Sequence, residues 1–262
     1  MSADDTVSSS STDYAGLPAR LAEAIRTRTA IRPDADDLSV ERAYELQDAL
    51  IALQGLPPVA VKLGLTSVAK QQQMHVDEPA YGWLLGGSQI EVGAELPSSE
   101  LIQPRCEPEI AFLIGRDLAG PHITTTDVLA ATEAVMPAID VLDSRYAGYR
   151  FTLPAVVADN ISSARYALGA PVPLPDADLR LLGCVFEVDG RLVGTAAGAA
   201  VLDHPAAAVA WFVRSLAARG RHLEAGTVVL SGALTAAVPV TPGQVVRCTV
   251  DRLGSVELRV GA

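Results

Sequence analysis

The chain has 262 residues, 49% hydrophobic and 19% charged, with a formal net charge of −11. That length can bury one large core, while the negative charge argues against nucleic acid or an anionic membrane as partner. No stretch approaches the roughly 18 apolar residues of a membrane span. The opening "MSADDTVSSSSTDYAG" has no apolar signal core and reads as a disordered tail over residues 1–14. Cys106, Cys184 and Cys248 show no CxxC spacing, which fits a reduced cytoplasm. Of 20 basic residues only Lys62 and Lys70 are lysines, so a lysine inside an apolar strand is worth weighing.

Residues 15–262 read as one domain that opens with a helical region over 15–55. Segments 17–30 and 40–54 carry apolar residues at helical spacing, and "GLPP" stops the second. "VAVKLGLTS" is a short strand entering a polar loop, "SVAKQQQM" a helical segment and "DEPAYG" a turn. Beyond residue 100 the pattern turns β-rich, with strands expected at 109–114, 135–142, 184–188, 227–231, 245–251 and 256–260. "VDGRLV" and "DRLGSVEL" read as hairpins. Helices are expected at 125–134 and 204–219, the latter capped by Asp203 and ended by Gly220. The fold class is α+β with a strongly bent or barrel-like β core. GxGxxG, Walker, HExxH and GxSxG motifs are all absent, and the four histidines are scattered.

"CEPEIAFLIG" places Glu107 and Glu109 two apart, on one face of a strand whose other face is Ile110, Phe112 and Ile114. Two carboxylates in a partly apolar site repel, and a hard divalent cation removes the conflict. Taken alone the pair also fits a solvated strand start. In "VMPAIDVLDSRY", Asp140 stands inside an apolar frame, where an aspartate needs a partner. Asp143 and Arg145 read as an ion pair. In "VAVKLG", Lys62 lies between small residues with room for a ligand carboxylate, or else snorkels from an edge strand.

The blocks "VKLGLTSVAKQQQM", "VDEPAYGWL", "PRCEPEIAFLIGRDL", "PAIDVLDSRYAGYRF", "VVADNISS" and "LEAGTVVLSGALTAAVPVTPGQVV" occur in the order found in the hydratase/decarboxylase family of meta-cleavage pathways. The chain resembles that family, within the fumarylacetoacetate hydrolase-like superfamily, over roughly residues 55–260. The resemblance implies the superfamily's β-rich fold, a divalent metal (Mg²⁺, with Mn²⁺ an alternative) and a small anionic 2-oxo acid substrate. It sets Glu107 and Glu109 on the family's metal-binding pair and Asp140 on a third ligand that is usually glutamate. Lys62 falls on the lysine near the substrate carboxylate and Ser162 on the serine after "ADN". His75 departs from the glycine common before "VDEP".

"AKQQQM", "PAYG", the "EPE" spelling and "DSRYAGYRF" resemble the decarboxylase branch more than the hydratase branch. The implied reaction is loss of CO₂ from 2-oxo-3-hexenedioate, whose dienolate charge reaches the ketone oxygen beside the metal. Asp77 and Glu78 are candidates for proton handling or lid closure, and Arg145 and Arg150 for the far carboxylate. Hydration of 2-hydroxypenta-2,4-dienoate is the alternative, and a non-catalytic 2-oxo acid-binding subunit a third reading. A homo-oligomer, a complex with a homologous hydratase and a cytoplasmic location complete the expectations.

Overall fold

The computed structural model describes residues 14–32, 37–67, 71 and 78–262. Apart from Tyr14, the expected tail lies outside the described residues. So do most of "SVAKQQQM", including Lys70, and the candidates His75 and Asp77.

Helix α1 (Leu17–Thr27) has Pro18 in its first turn and stops at Arg28, which takes φ 54°, short of the expected residue 30. Helix α2 (Val40–Gln54) has the expected bounds: the Ser39 hydroxyl accepts from Arg42 N at 3.2 Å and Gly55 ends it. The buried Gln47 of α2 donates to the carbonyls of Tyr81 (3.0 Å) and Val157 (2.9 Å). Those bonds satisfy the Gln47 amide nitrogen inside the core and tie the N-terminal helices to the β-rich region.

The main sheet has seven strands: β1 (Pro58–Gly64), β2 (Ala80–Leu85), β4 (Arg105–Ile114), β5 (Thr132–Leu142), β6 (Ser163–Leu168), β9 (Val228–Ala233) and the short β10 (Val238–Pro239). Their order is β2-β1-β9-β4-β5-β6, with β10 on β4. Strand β9 thus inserts between β1, to which it is parallel, and β4, to which it is antiparallel. The two edges meet, because Tyr166 N donates to Ser88 O (3.0 Å) and Ile90 N to Tyr166 O (2.7 Å). The sheet therefore curls into a half-barrel. Ala60, Leu84, Ala111, Met136, Ala138, Tyr166 and Leu230, drawn from β1, β2, β4, β5, β6 and β9, cluster on its inner face. Alternate residues Val61, Leu63, Ile110, Phe112, Val135 and Ile139 turn outward into the larger core.

A second sheet, ordered β3-β12-β11-β7-β8, packs against β5. It contains β3 (Glu95–Leu96), β7 (Gly183–Val188), β8 (Arg191–Ala197), β11 (Val245–Val250) and β12 (Gly254–Val260). Both expected hairpins are present, β7–β8 turning at Asp189 and Gly190, and β11–β12 at residues 251–253. Among the described residues the remaining α-helices are α3 (Thr125–Ala131), α4 (Leu153–Ala158) and α5 (Pro205–Ala217).

Several expectations are corrected. "DEPAYG" runs into strand β2, and β6 and α4 were not anticipated as elements. Helix α3 stops at Ala131 because Thr132 is extended and opens β5. Helix α5 is capped by the ring of His204, whose Nδ1 accepts from Ala206 N at 3.0 Å. Asp203 sits at φ 63°, outside the extended conformation a cap requires.

Candidate metal centre

Strand β4 begins at Arg105, so Glu107 and Glu109 sit within the strand and not at its mouth. Alternation sends both inward, on the face of Ala111. Glu107 is directly opposite Asp140 in the β4–β5 ladder, and directly opposed side chains share a face with Cβ atoms about 5 Å apart. One carboxylate oxygen from each of Glu107, Glu109 and Asp140 lies within 4.8 Å of the others, and all three residues are buried. Lys62, inward on β1 and 1% exposed, forms an ion pair with Asp140.

A β-bulge completes the centre. The β4–β9 register slips between Glu109 and Ala111, and the extra residue turns Gly232 N toward Glu109 Oε2 at 2.5 Å. Gly232 has φ 116°, and a Cβ there would stand 2.0 Å from Thr66 Oγ1. Only glycine allows this bend and this approach. The other oxygen, Glu109 Oε1, is buried with no hydrogen-bond partner among the described residues.

The electrostatics follow from that packing. Burial pushes the Glu109 carboxyl well above its usual range, and Asp140 and Glu107 push it further, against Lys62 and the Gly232 N–H. Burial works against the Lys62 ammonium, but attraction to Asp140, Glu107 and Glu109 outweighs it, so its pKa is raised. The described residues thus bury three carboxylates against one ammonium and leave one carboxylate oxygen without a partner among them. An oxygen-rich donor set of this kind fits a hard divalent cation such as Mg²⁺.

Arg145 and Ser162 belong to a neighbouring network. The Arg145 guanidinium forms a buried ion pair with Asp159 and donates to the carbonyls of Asp143 (2.8 Å) and Ser163 (3.0 Å). This corrects the expected Asp143–Arg145 ion pair, because the Asp143 carboxylate is taken by the backbone N–H groups of Ile102 and Gln103. Ser162 donates to Asp159 Oδ2 at 3.0 Å. Burial raises the Asp159 carboxyl, opposed by the charge and hydrogen bonds of Arg145. Asn160, Ile161 and Ser162 all have positive φ (50°, 42° and 51°), a conformation costing roughly 1–2 kcal/mol per residue.

Glu78 is exposed and lines a cavity of about 260 Å³ with Tyr44, Tyr81 and Arg219. Tyr81 pairs with Leu63 and shares its outward face, so this cavity lies across the sheet from Lys62. Sequence reasoning missed Asp159, Thr66 and Gly232. A glycine inside the strand "VVLSGA" was the signal available for the bulge.

A half-barrel closing around three acids and a lysine is the arrangement of a candidate metal centre in a fumarylacetoacetate hydrolase-like fold. The sequence profile of the fumarylacetoacetate (FAA) hydrolase C-terminal family matches residues 59–261, and the chain belongs to that family. It is 42% identical over 230 residues to the 4-oxalocrotonate decarboxylase of Pseudomonas sp. (strain CF600), covering 86% of this chain and 87% of that one. It is 40% identical over 244 residues to the 2-keto-4-pentenoate hydratase of Paraburkholderia xenovorans (strain LB400), covering 90% of each. Among solved structures, 4-oxalocrotonate decarboxylase from Pseudomonas putida G7, complexed with magnesium and adipate, superposes with a TM-score of 0.89. Its identity is 38%, over 94% of this chain and 96% of that chain.

Proposed function

We propose that this chain is a metal-dependent decarboxylase that converts 2-oxo-3-hexenedioate to 2-hydroxypenta-2,4-dienoate and CO₂. The observation that carries the reading is the buried cluster of Glu107, Glu109 and Asp140 with Lys62 against it, in a chain so similar to decarboxylases. Glu107, Glu109 and Asp140 would hold Mg²⁺, or Mn²⁺ in its place. The bound cation supplies Lewis acidity that stabilises negative charge developing on the substrate's ketone oxygen.

The chain's own groups do the rest. Glu109, held through Oε2 by the Gly232 N–H, keeps Oε1 turned into the site as an acceptor. Lys62 Nζ remains an ammonium at neutral pH, the state in which it attracts an anionic 2-oxo acid and can protonate the dienolate oxygen after CO₂ leaves, which gives the 2-hydroxydiene. The inward apolar side chains behind it, Ala60, Ala111, Met136 and Leu230, keep water from the rear of the site. Low dielectric there strengthens each charge interaction.

Residues 15–262 act as one catalytic unit in this reading, as a homo-oligomer in the cytoplasm that can also pair with a homologous hydratase. The deciding experiment is an ultraviolet assay of 2-oxo-3-hexenedioate with CO₂ detection. Stoichiometric CO₂ supports the decarboxylase. Efficient conversion of 2-hydroxypenta-2,4-dienoate to 4-hydroxy-2-oxopentanoate, with no CO₂ from the diacid, establishes the hydratase instead.

A further inference from the structure

We propose that the buried Arg145–Asp159 pair is the positioning element of this site. It holds Asn160–Ser162 in a left-handed turn that forms the wall beside Lys62. The inference rests on the reading of Lys62 as the substrate-facing cation.

Three consecutive left-handed residues, one of them β-branched Ile161, persist only where their surroundings over-determine them. Here the surroundings do so from both sides. The Ser162 N–H closes the turn onto Asp159 O at 2.7 Å. Fully buried Asp159 accepts from the Arg145 backbone N–H (3.1 Å) and from Ser162 Oγ (3.0 Å), besides the guanidinium. The same guanidinium bonds the carbonyls of Asp143, Asp159 and Ser163, so one side chain joins the chain leaving β5 to both ends of the turn.

On the opposite side the turn lies against the sheet. The Asn160 amide accepts from Trp83 N (2.7 Å) and donates to Trp83 O (2.8 Å). Gly82 is directly opposite Lys62 in the β1–β2 ladder, and Gly64 follows Lys62 by two residues, so both face the way Lys62 does. A Cβ at Gly82 would stand 2.4 Å from Asn160 O, and one at Gly64 would stand 2.9 Å from Ile161 Cγ2. The turn therefore abuts the Lys62 face with no room for a methyl group. Asp159 and Arg145 act through it; they are positioning residues, not substrate contacts.

The test compares Asp159→Glu with Gly82→Ala in the Mg²⁺-loaded enzyme. Asp159→Glu keeps the charge pair but displaces the turn by a methylene; Gly82→Ala leaves every polar group in place and pushes the turn from the other side. Each should lower kcat for 2-oxo-3-hexenedioate by about tenfold or more, with KM and Mn²⁺ affinity (by electron paramagnetic resonance) within about threefold. Hydrogen exchange at residues 159–163 should accelerate in both. The proposal is overturned if either folded variant keeps kcat within about twofold, or if Mn²⁺ affinity falls in step with kcat. Failure of both to fold would mark the pair as a stability element only and also overturn it. Wild-type protein releasing no CO₂ would sink the decarboxylase reading alone. In that case unchanged exchange at 159–163 overturns the positioning role and accelerated exchange supports it.

Discussion

Replacing Lys62 with methionine removes a charge while keeping most of the side-chain volume. Lys62 is 1% exposed and its partner Asp140 fully buried, so the substitution leaves three carboxylates without their ammonium. Breaking a buried ion pair costs about 3–5 kcal/mol, and a chain of this size loses about 2–4 °C of Tm per kcal/mol. The metal-free variant should melt about 6–20 °C below wild type. Saturating Mg²⁺ should recover much of that difference, because the cation neutralises the same carboxylates. Turnover should not recover. Losing a charge-assisted contact worth about 1.5–3 kcal/mol lowers kcat/KM by about 10–150-fold. Differential scanning fluorimetry with and without Mg²⁺, beside the CO₂ assay, reads both effects. A Lys62→Met variant that melts within about 2 °C of wild type and turns over within about twofold would refute the reasoning.

Glu107→Gln and Glu109→Gln should each abolish the recovery of activity when Mg²⁺ is returned to EDTA-treated protein, while circular dichroism stays native. Full activity in metal-free buffer would contradict the metal reading. Asp140→Glu should retain activity and Asp140→Asn should not, since only the first keeps an anion for Lys62 and the cation; steady-state assays across Mg²⁺ concentrations check both. Glu109 carries a raised pKa when folded. It therefore destabilises the metal-free protein fully above that folded value, and the penalty shrinks as pH falls through it toward the ordinary carboxylate range near 4.5. The Mg²⁺-induced rise in Tm should accordingly be larger at pH 8 than at pH 5.5, and the difference should shrink in Glu109→Gln.

The carboxylates and Lys62 were legible because each breaks a local rule: a charge in an apolar strand needs a partner, and period-two alternation names its face. Their assembly was less legible. That β9 lies between β1 and β4 is a long-range pairing that no local pattern in "VVLSGA" encodes. Strand β2 was hidden by "DEP" and two glycines, although Gly82 is there because Asn160 presses on it. The Arg145–Asp159 pair was misread because sequence proximity favoured Asp143, whose carboxylate the 102–103 backbone had already taken. Ser162 was found only by resemblance; nothing in "ADNISS" announces three left-handed residues.

The place of β9 also bears on how this protein is made. Lys62 leaves the ribosome early, but its neighbour in the sheet is Leu230, which at ordinary synthesis rates follows on the order of ten seconds later. Until then β1 and β4 have nothing between them, and the lysine and its acids remain apart in water. A nascent chain halted before residue 228 cannot assemble the centre at any metal concentration, so ligand cannot shelter it from proteolysis. Metal-dependent protease resistance should therefore appear abruptly along a ladder of arrested chains, once β9 has cleared the exit tunnel.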